Sequence, residues 1–145
     1  MCLKSKTDKF RILKKDLTVY KIFYTNKTRN FLTEDNVEIY SRYRHKSYKI
    51  GELVTVDSDL ILHNIIFNFS SDTPYEINFG LHSYTNKKTA FYNCFNEANV
   101  VVCKCTIPKG SKVIIGEFCH DRSIVSNQII VNKLIKTNHG RKGIY

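Results

Sequence analysis

The chain has little of what builds flexible or membrane-spanning segments. Its 145 residues contain two prolines and six glycines, which argues against long flexible linkers. No apolar run approaches the roughly 20 residues that a helix needs to cross a bilayer. The first six residues carry charge without the apolar core of a signal peptide. We therefore expect a cytoplasmic protein that does not associate with membranes.

The cysteines lack a disulfide pattern. The five copies, an odd number without regular spacing, fit reduced thiols better than a disulfide framework. Cys103, Cys105 and Cys119, with His120, form a conceivable zinc set, but a Cys-x-Cys pair within a strand lacks the usual zinc spacing. Gly-rich phosphate loops and the common metalloprotease and hydrolase motifs are missing. The sequence therefore favours neither a metal centre nor one of these enzyme classes.

Positive charge is what the chain has in excess. Lys and Arg total 23 against 13 Asp and Glu, which leaves a net charge of +10 at pH 7. Such a surface attracts anions: a nucleotide, an acidic protein surface or, less favoured, nucleic acid. Most of the charge is lysine, so simple solubility is the alternative explanation.

Length and composition predict one α+β domain over residues 1–145, with partly irregular basic termini at 1–15 and 137–145. Alternating and β-branched runs predict strands at residues 17–24, 53–56, 75–79, 100–107, 112–118 and 128–135. Thr85 or Asn86 caps a predicted helix that runs to about Ala98 with one apolar face. The predicted fold is mostly antiparallel strands with one or two short helices.

Three further segments are less regular. Residues 33–36 either cap a short helix or are irregular. Residues 60–69 are apolar enough to form a buried strand or a short helix, and periodicity does not decide between them. Residues 121–123 predict a turn.

Polar residues near the predicted strand and helix ends are candidate ligand-binding groups. His82 follows a glycine at a predicted strand end and suits a ribose hydroxyl, a phosphate or a base; a structural histidine bonded to backbone is the alternative. Lys87 and Lys88 lie at a helix N-terminus that favours phosphate, although solvated surface lysines are as ordinary there. Arg42 and Arg44 belong to the densest basic and aromatic patch, residues 40–49, which either binds a nucleotide or forms a basic loop over the core edge.

Several strings resemble a family of small uncharacterised proteins from gut bacteria and their phages. They are Cys2-Leu3, Asp16-Leu17-Thr18-Val19-Tyr20-Lys21, Tyr48-Lys49-Ile50-Gly51-Glu52, Gly80-Leu81-His82-Ser83 and Ile107-Pro108-Lys109-Gly110-Ser111. This resemblance spans nearly the whole chain but implies no activity.

The order of the pieces also resembles the ADP-ribosyltransferase fold, the split sheet of toxin transferases and poly(ADP-ribose) polymerase catalytic domains. The similar strings are Val19-Tyr20-Lys21, Gly80-Leu81-His82-Ser83-Tyr84 with the helix start at 86–92, and Asn127-Gln128-Ile129-Ile130-Val131. The resemblance implies a cleft for NAD or an ADP-ribose-type ligand. In it, Lys21 replaces the family's Arg or His, His82 replaces its Tyr, and Gln128 replaces its catalytic Glu.

The residue at the family's glutamate position weighs against catalysis. A neutral amide at Gln128 cannot stabilise the cationic sugar of the transfer reaction. An active enzyme would therefore need a substitute carboxylate, with Glu117 or Asp121 as candidates beside His82 and Gln128.

The sequence therefore predicts a non-catalytic protein, without a cofactor, that binds an anionic nucleotide-type ligand. An ADP-ribose derivative or a signalling nucleotide fits, as does a phage protein that sequesters it in the host cytoplasm to counter host defence. The predicted binding residues are Lys21, Arg42, Arg44, His82, Tyr84, Lys87 and Gln128. The alternatives are an active ADP-ribosyltransferase or NAD-consuming enzyme, and an inhibitor that docks an acidic partner.

Overall fold

A computed structural model describes residues 3–26, 38–41, 46–94, 99–119 and 121–135, which form thirteen strands and two helices. The strands are β1 (Leu3–Ser5), β2 (Arg11–Ile12), β3 (Leu17–Thr25), β4 (Ile39–Ser41), β5 (Ser47–Tyr48), β6 (Leu53–Thr55), β7 (Ile65–Phe67), β8 (Tyr75–Ile77), β9 (Leu81–Tyr84), β10 (Val100–Ile107), β11 (Lys112–Phe118), β12 (Asp121–Ser126) and β13 (Gln128–Ile135). The helices are α1 (Ser58–His63) and α2 (Lys87–Cys94).

The strands described form one antiparallel sheet in the order β6-β13-β10-β3-β9-β12-β11-β1-β8-β7. β2 pairs with β11, and the β4–β5 hairpin branches from β3. Strand accounts for 54% of the described residues and helix for 12%, so the predicted α+β class is wrong: the fold is mostly β, in one large sheet rather than the split sheet expected. The short helices are additions to this sheet and do not form a layer of their own.

The sheet is strongly curled. β12 and β13 are joined by Asn127 alone, yet β10, β3 and β9 lie between them in the sheet order. This short link requires the intervening strands to bend round, so that one face becomes an interior. A large apolar cluster fills that interior with residues from β3, β9, β10, β11, β12 and β13, including Val19, Phe23, Cys103 and Val131.

The two helices cover separate parts of the outer face. α2 packs Ala90 and Cys94 against Ile22 and Val102. Its N-terminus is capped by Asn86, whose side-chain oxygen accepts the N–H groups of Lys88 at 2.8 Å and of Thr89 at 3.3 Å, as the sequence predicted. α1 contributes one buried residue, Ile61, to a third cluster against Ile77 and Val125.

The strands at 100–107, 112–118 and 128–135 are confirmed, and the strand predicted at 17–24 extends one residue further. The turn predicted at 121–123 is wrong, because these residues open β12, which pairs with β11 from Phe118↔Asp121 onward. Ser123 is fully buried there, and its hydroxyl donates to the Asp121 carbonyl, which satisfies the polar group that suggested a turn. The segment at 33–36 lies outside the described residues.

Residues 60–69 combine both conformations that the sequence left open, the end of α1 followed by β7. They are not the buried strand that their composition suggested. Most of their apolar side chains are exposed; Ile61 is buried, and Ile65 is partly buried against the same cluster. In the described part of the chain, no helix is long and apolar enough to span a membrane.

Candidate functional site

The candidate site is a cavity at a fork in the sheet. On the side of β3 that faces away from β10, two strands pair with it in succession. The first is β9, at Tyr20↔Tyr84, and the second is β4, from Phe23↔Ser41 onward. Lys21 and Ile22 fall between these two pairings, where β9 and β4 diverge. The divergence opens a cavity of about 510 Å³. It is lined by Lys21, Ile22, Ser41, Lys46, Tyr48, Val56, Asn78, Phe79, Gly80, Leu81, His82, Tyr84, Asn93, Phe118 and Cys119.

Lys21 is the charged residue at the centre of this fork. It lies on the interior face of β3, two residues from both Val19 and Phe23, because side chains alternate along a strand. Its side chain is only 9% exposed, and its ammonium nitrogen donates to the His82 carbonyl at 2.6 Å. The nitrogen also lies 5.7 Å from the centre of the Phe23 ring. Burial lowers the pKa of Lys21 to about 8.

The described residues provide Lys21 with no carboxylate partner. Their one ion pair joins Lys4 to Glu76, at 3.6 Å, well away from β3 in the sheet order. The lining contains no Asp or Glu within the described ranges. A buried ammonium group held by one carbonyl and an aromatic ring lacks the anion that normally offsets its desolvation.

His82 lines the cavity, and both of its ring nitrogens contact backbone carbonyl oxygens. Its Nε2 lies 2.9 Å from the Ile77 carbonyl oxygen, and its Nδ1 lies 3.1 Å from the Gly80 carbonyl oxygen. A neutral imidazole carries one N–H, so it donates to one of these oxygens at a time. Burial lowers the pKa of His82 to about 4, which keeps it neutral at pH 7. Of the two interpretations left open by the sequence, this geometry favours the structural histidine bonded to backbone.

Gly80 allows the chain to turn from β8 into β9 against this wall. Its φ is +122°, and a Cβ atom there would lie 2.4 Å from a Val125 methyl carbon. No other residue type therefore fits without displacing Val125 or straining the backbone.

The side-chain oxygen of Asn78 is a buried hydrogen-bond acceptor to which none of the described residues donates. This Oδ1 therefore has no hydrogen-bond partner among the residues whose positions are described, while the side-chain Nδ2 donates to Glu76 at 3.4 Å. Buried polar atoms are normally paired, so an unpaired oxygen in a cavity wall suits a donor that arrives with a ligand.

Aromatic side chains give the cavity its apolar surface. Phe79, Tyr84 and Phe118 line it together with Tyr48, which packs edge-on against Phe23 with ring centres 4.9 Å apart. Burial raises the pKa of Tyr48, so its hydroxyl stays protonated. The cavity thus combines an ammonium group with aromatic walls, a combination suited to a phosphate and a base.

The structure brings three of the predicted binding residues, Lys21, His82 and Tyr84, together at this cavity. Two others lie elsewhere: Lys87 is exposed at the start of α2, and Gln128 accepts a hydrogen bond from the Ser111 hydroxyl at 3.1 Å. Arg42 and Arg44 lie outside the described residues, although Ser41 and Lys46 on either side of them line the cavity.

The candidate substitute carboxylates also lie outside the lining. Glu117 is on β11, opposite Lys4 of β1 and Arg122 of β12. The Asp121 carboxylate accepts from Asn93 at 3.3 Å. Neither residue is brought to Lys21, so the described residues do not assemble the expected transferase triad in the cavity.

Sequence reasoning missed several lining residues, among them Asn78, Asn93 and Phe118. Nothing in their local sequence marks them, because Asn93 is one of several polar positions on α2 and Phe118 simply ends a strand. Only the glycine two residues after Asn78 could have suggested a constrained turn there.

The cysteines suggested for zinc are separated. Cys103 and Cys105 are buried in the interior, whereas Cys119 is exposed at the β11–β12 turn, and His120 lies outside the described residues. Across the residues with described positions, no group of three or more potential ligands is placed to hold a metal ion.

No protein-family model, curated protein or solved structure matches the chain. The resemblances to the gut-bacterial and phage family and to ADP-ribosyltransferases therefore stay predictions. Function must be inferred from the cavity itself, and above all from the surroundings of Lys21.

Proposed function

We propose that the cavity binds an anionic nucleotide-type ligand and holds it without chemical turnover. The observation that carries this proposal is Lys21, a buried ammonium group with no carboxylate beside it in the described part of the chain. An ammonium group has three N–H donors, and one is used on the His82 carbonyl. A phosphate in the cavity would take the others and offset the desolvation of the charge.

The size and lining of the cavity support a ligand larger than a simple ion. About 510 Å³ falls within the range of roughly 300–1,000 Å³ typical of small-molecule sites. Lys46 adds a second positive charge to the lining. The aromatic residues offer faces for a base, and Asn78 Oδ1 accepts from a hydroxyl or an amino group. A nucleotide carries all three kinds of group.

The absence of a carboxylate from the described lining supports binding over transfer. Cleavage of a glycosidic bond such as that of NAD builds positive charge on the sugar, and a positively charged lining opposes it. Gln128 and Glu117 do not line the cavity, so neither side chain is placed to stabilise the positive charge on the sugar. A ligand held in this way would be sequestered, and an ADP-ribose derivative or a signalling nucleotide fits that role.

The test is a thermal-shift series with pyrophosphate, adenosine, ADP, NAD, ADP-ribose and cyclic dinucleotides. A ligand at 100 times its Kd adds about 2.7 kcal/mol to the free energy of unfolding. We expect a rise in Tm with a phosphate-containing nucleotide, a smaller one with pyrophosphate and none with adenosine.

Lys21→Met is the variant for this series, with Lys133→Met as its control, because Lys133 is an exposed lysine on a strand. The nucleotide shift should disappear in the first variant and persist in the second. A shift that survives Lys21→Met would contradict the proposed site. No shift with any compound would overturn the proposal and favour an acidic protein partner. Nicotinamide release from NAD would overturn the non-catalytic part alone.

A further inference from the structure

The orientation of the Asn78 side chain is set by residues that do not line the cavity. Its Nδ2 donates to Oε2 of Glu76 at 3.4 Å, and Oε1 of the same carboxylate is paired with Lys4 at 3.6 Å. An ionised carboxylate only accepts hydrogen bonds, so Glu76 holds the amide nitrogen of Asn78 and not the amide oxygen. Asn78 Oδ1 therefore turns away from Glu76.

The contacts of His82 hold Asn78 at a set distance from Lys21. Asn78 lies in the chain between Ile77 and Gly80, and the carbonyl oxygens of those two residues contact the ring nitrogens of His82 at 2.9 Å and 3.1 Å. The backbone carbonyl of His82 accepts the hydrogen bond of Lys21 at 2.6 Å. One residue thus links the segment that carries Asn78 to the buried ammonium group, so the fold fixes the spacing between the two.

Lys21 and Asn78 need opposite kinds of group from a ligand. The Lys21 ammonium group offers N–H donors and is offset by an anion, whereas Asn78 Oδ1 is an acceptor that finds no donor among the residues placed by the structure. A ligand that fills the cavity without serving this oxygen leaves it unpaired and away from water, which weakens binding. The lining is therefore matched to a ligand that carries both an anionic group and a neutral donor.

We propose that Asn78 is a specificity-determining residue of this site, whose Oδ1 selects ligands that present an N–H or O–H donor beside their anionic group. This inference rests on the proposed function and goes further, because it names which nucleotides the cavity accepts. In a nucleotide, the donor is the exocyclic amino group of a base or a ribose hydroxyl. Glu76 is a positioning residue, since it acts through the Asn78 amide that it holds.

Three compounds separate the two sources of the donor. ADP carries the amino group and the ribose hydroxyls, purine riboside diphosphate has hydrogen in place of the amino group, and dideoxy-ADP lacks both ribose hydroxyls. The measurement is the dissociation constant of each compound for the full chain by isothermal titration calorimetry. We expect one analogue to bind about 10- to 100-fold more weakly than ADP, because it leaves Oδ1 unpaired in a filled cavity. That analogue identifies the donor.

Asn78→Leu is the first variant, because it removes the acceptor and keeps a side chain of similar branched shape. It should bind ADP as weakly as the selected analogue, so that the ratio of the two dissociation constants falls to about 1. Asn64→Leu is the matched control. Asn64 is exposed and lies outside the lining, so this variant should keep the ratio of the unmodified chain.

Glu76→Gln is a second variant, in case Asn78→Leu impairs folding. A glutamine amide can donate as well as accept, so it can hold the Asn78 amide by its oxygen and leave Nδ2 facing the cavity. The preference for ADP over the analogue should therefore shrink, although Glu76 does not line the cavity. A purely structural role of Glu76 would instead weaken both compounds equally.

The outcomes distinguish this inference from the proposed function. Equal affinity of the unmodified chain for ADP and both analogues would overturn the role of Asn78 and leave nucleotide binding intact. A preference that persists unchanged in Asn78→Leu or in Glu76→Gln would also overturn that role. No binding of any of the three compounds would overturn the proposed function, and this inference with it.

Discussion

The fork and the surface beside β7 depart from the ordinary distribution of residues in opposite ways. At the fork, Lys21 is a charge in the interior without a carboxylate among the described residues. Beside β7, five apolar side chains are between 40% and 86% exposed, and we call them the apolar edge: Leu60, Leu62, Ile66, Phe67 and Phe69. The unpaired charge makes the isolated chain less stable than an apolar residue would, and the exposed apolar groups form a patch of the kind that marks an interaction site. Places where a chain departs from such rules are expected at functional sites, so both point to something outside the chain.

The two regions also differ in how closely they define a partner. The fork is a cavity walled by strands, in which polar groups face a confined space. The apolar edge is open, and no described strand pairs with the outer side of β7. Polar groups at fixed positions select a small charged molecule, whereas apolar contact is non-directional and selects no particular partner. The comparison therefore separates a site whose groups define a class of ligand from a surface whose residues do not.

The largest effect is expected from removing the glycine that shapes the fork. Gly80→Ala should lower the free energy of unfolding by about 2–4 kcal/mol, because the new methyl group meets Val125 and the positive φ is strained. Gly110→Ala is the control: its φ is +88°, but a Cβ atom there meets nothing within 4 Å. Urea denaturation should show a smaller loss for the control, and equal losses would mean that the wall of the fork is not tightly packed.

The next effect is a gain in stability. Lys21→Met should raise the free energy of unfolding of the ligand-free protein by about 1–3 kcal/mol at pH 7, because an apolar side chain replaces an unpaired buried charge. Lys133→Met should change it by less than about 0.5 kcal/mol, as expected for a surface substitution. If Lys21→Met instead destabilises the chain, the ammonium group is already satisfied and the case for an anionic ligand fails.

The stability gained by Lys21→Met should depend on pH. The pKa of Lys21 is lowered from 10.5 in the unfolded chain to about 8 in the folded chain. The unfolded chain therefore binds more protons in this interval, and the penalty from Lys21 is full below pH 8 and fades as the pH rises to 10.5. The stability difference between Lys21→Met and the unmodified chain should shrink over that range. A difference that stays constant would contradict a buried, titrating ammonium group.

A further pH effect should appear in acid. The pKa of His82 is lowered from 6.5 to about 4, so the unfolded chain takes up a proton in this interval that the folded chain does not. The free energy of unfolding should fall as the pH falls through it, by up to about 1.4 kcal/mol per pH unit for one proton. His82→Asn should lack this contribution in denaturation curves between pH 4 and 7. Identical slopes for both proteins would show that His82 titrates normally.

The smallest change in stability is expected at the apolar edge. Phe69→Ser should alter the free energy of unfolding by less than about 0.5 kcal/mol in urea denaturation of dilute protein, because the Phe69 side chain is already exposed. A large loss of stability would mean that Phe69 packs within its own chain.

The sequence predicts the regular strands well and the special sites poorly. β3, β10, β11 and β13 follow from β-branched and aromatic runs, and the Asn86 cap follows from its side chain. The fold class was wrong because short strands such as β1, β2 and β5 carry two or three residues each, too few for periodicity to mark. Pairing with distant strands, and not local preference, makes them strands.

The sequence alone determined the net positive charge, the uncharged apolar segment at 60–69 and the alternation that turns Lys21 toward the side of Val19 and Phe23. Tertiary structure decided that this side is an interior, that β9 and β4 separate beside Lys21, and that Gln128 bonds Ser111 away from the cavity. It also decided that the apolar segment ends the sheet and is not covered by it. Composition and alternation are local properties of the chain, whereas burial and openness depend on strand pairings between residues far apart in sequence.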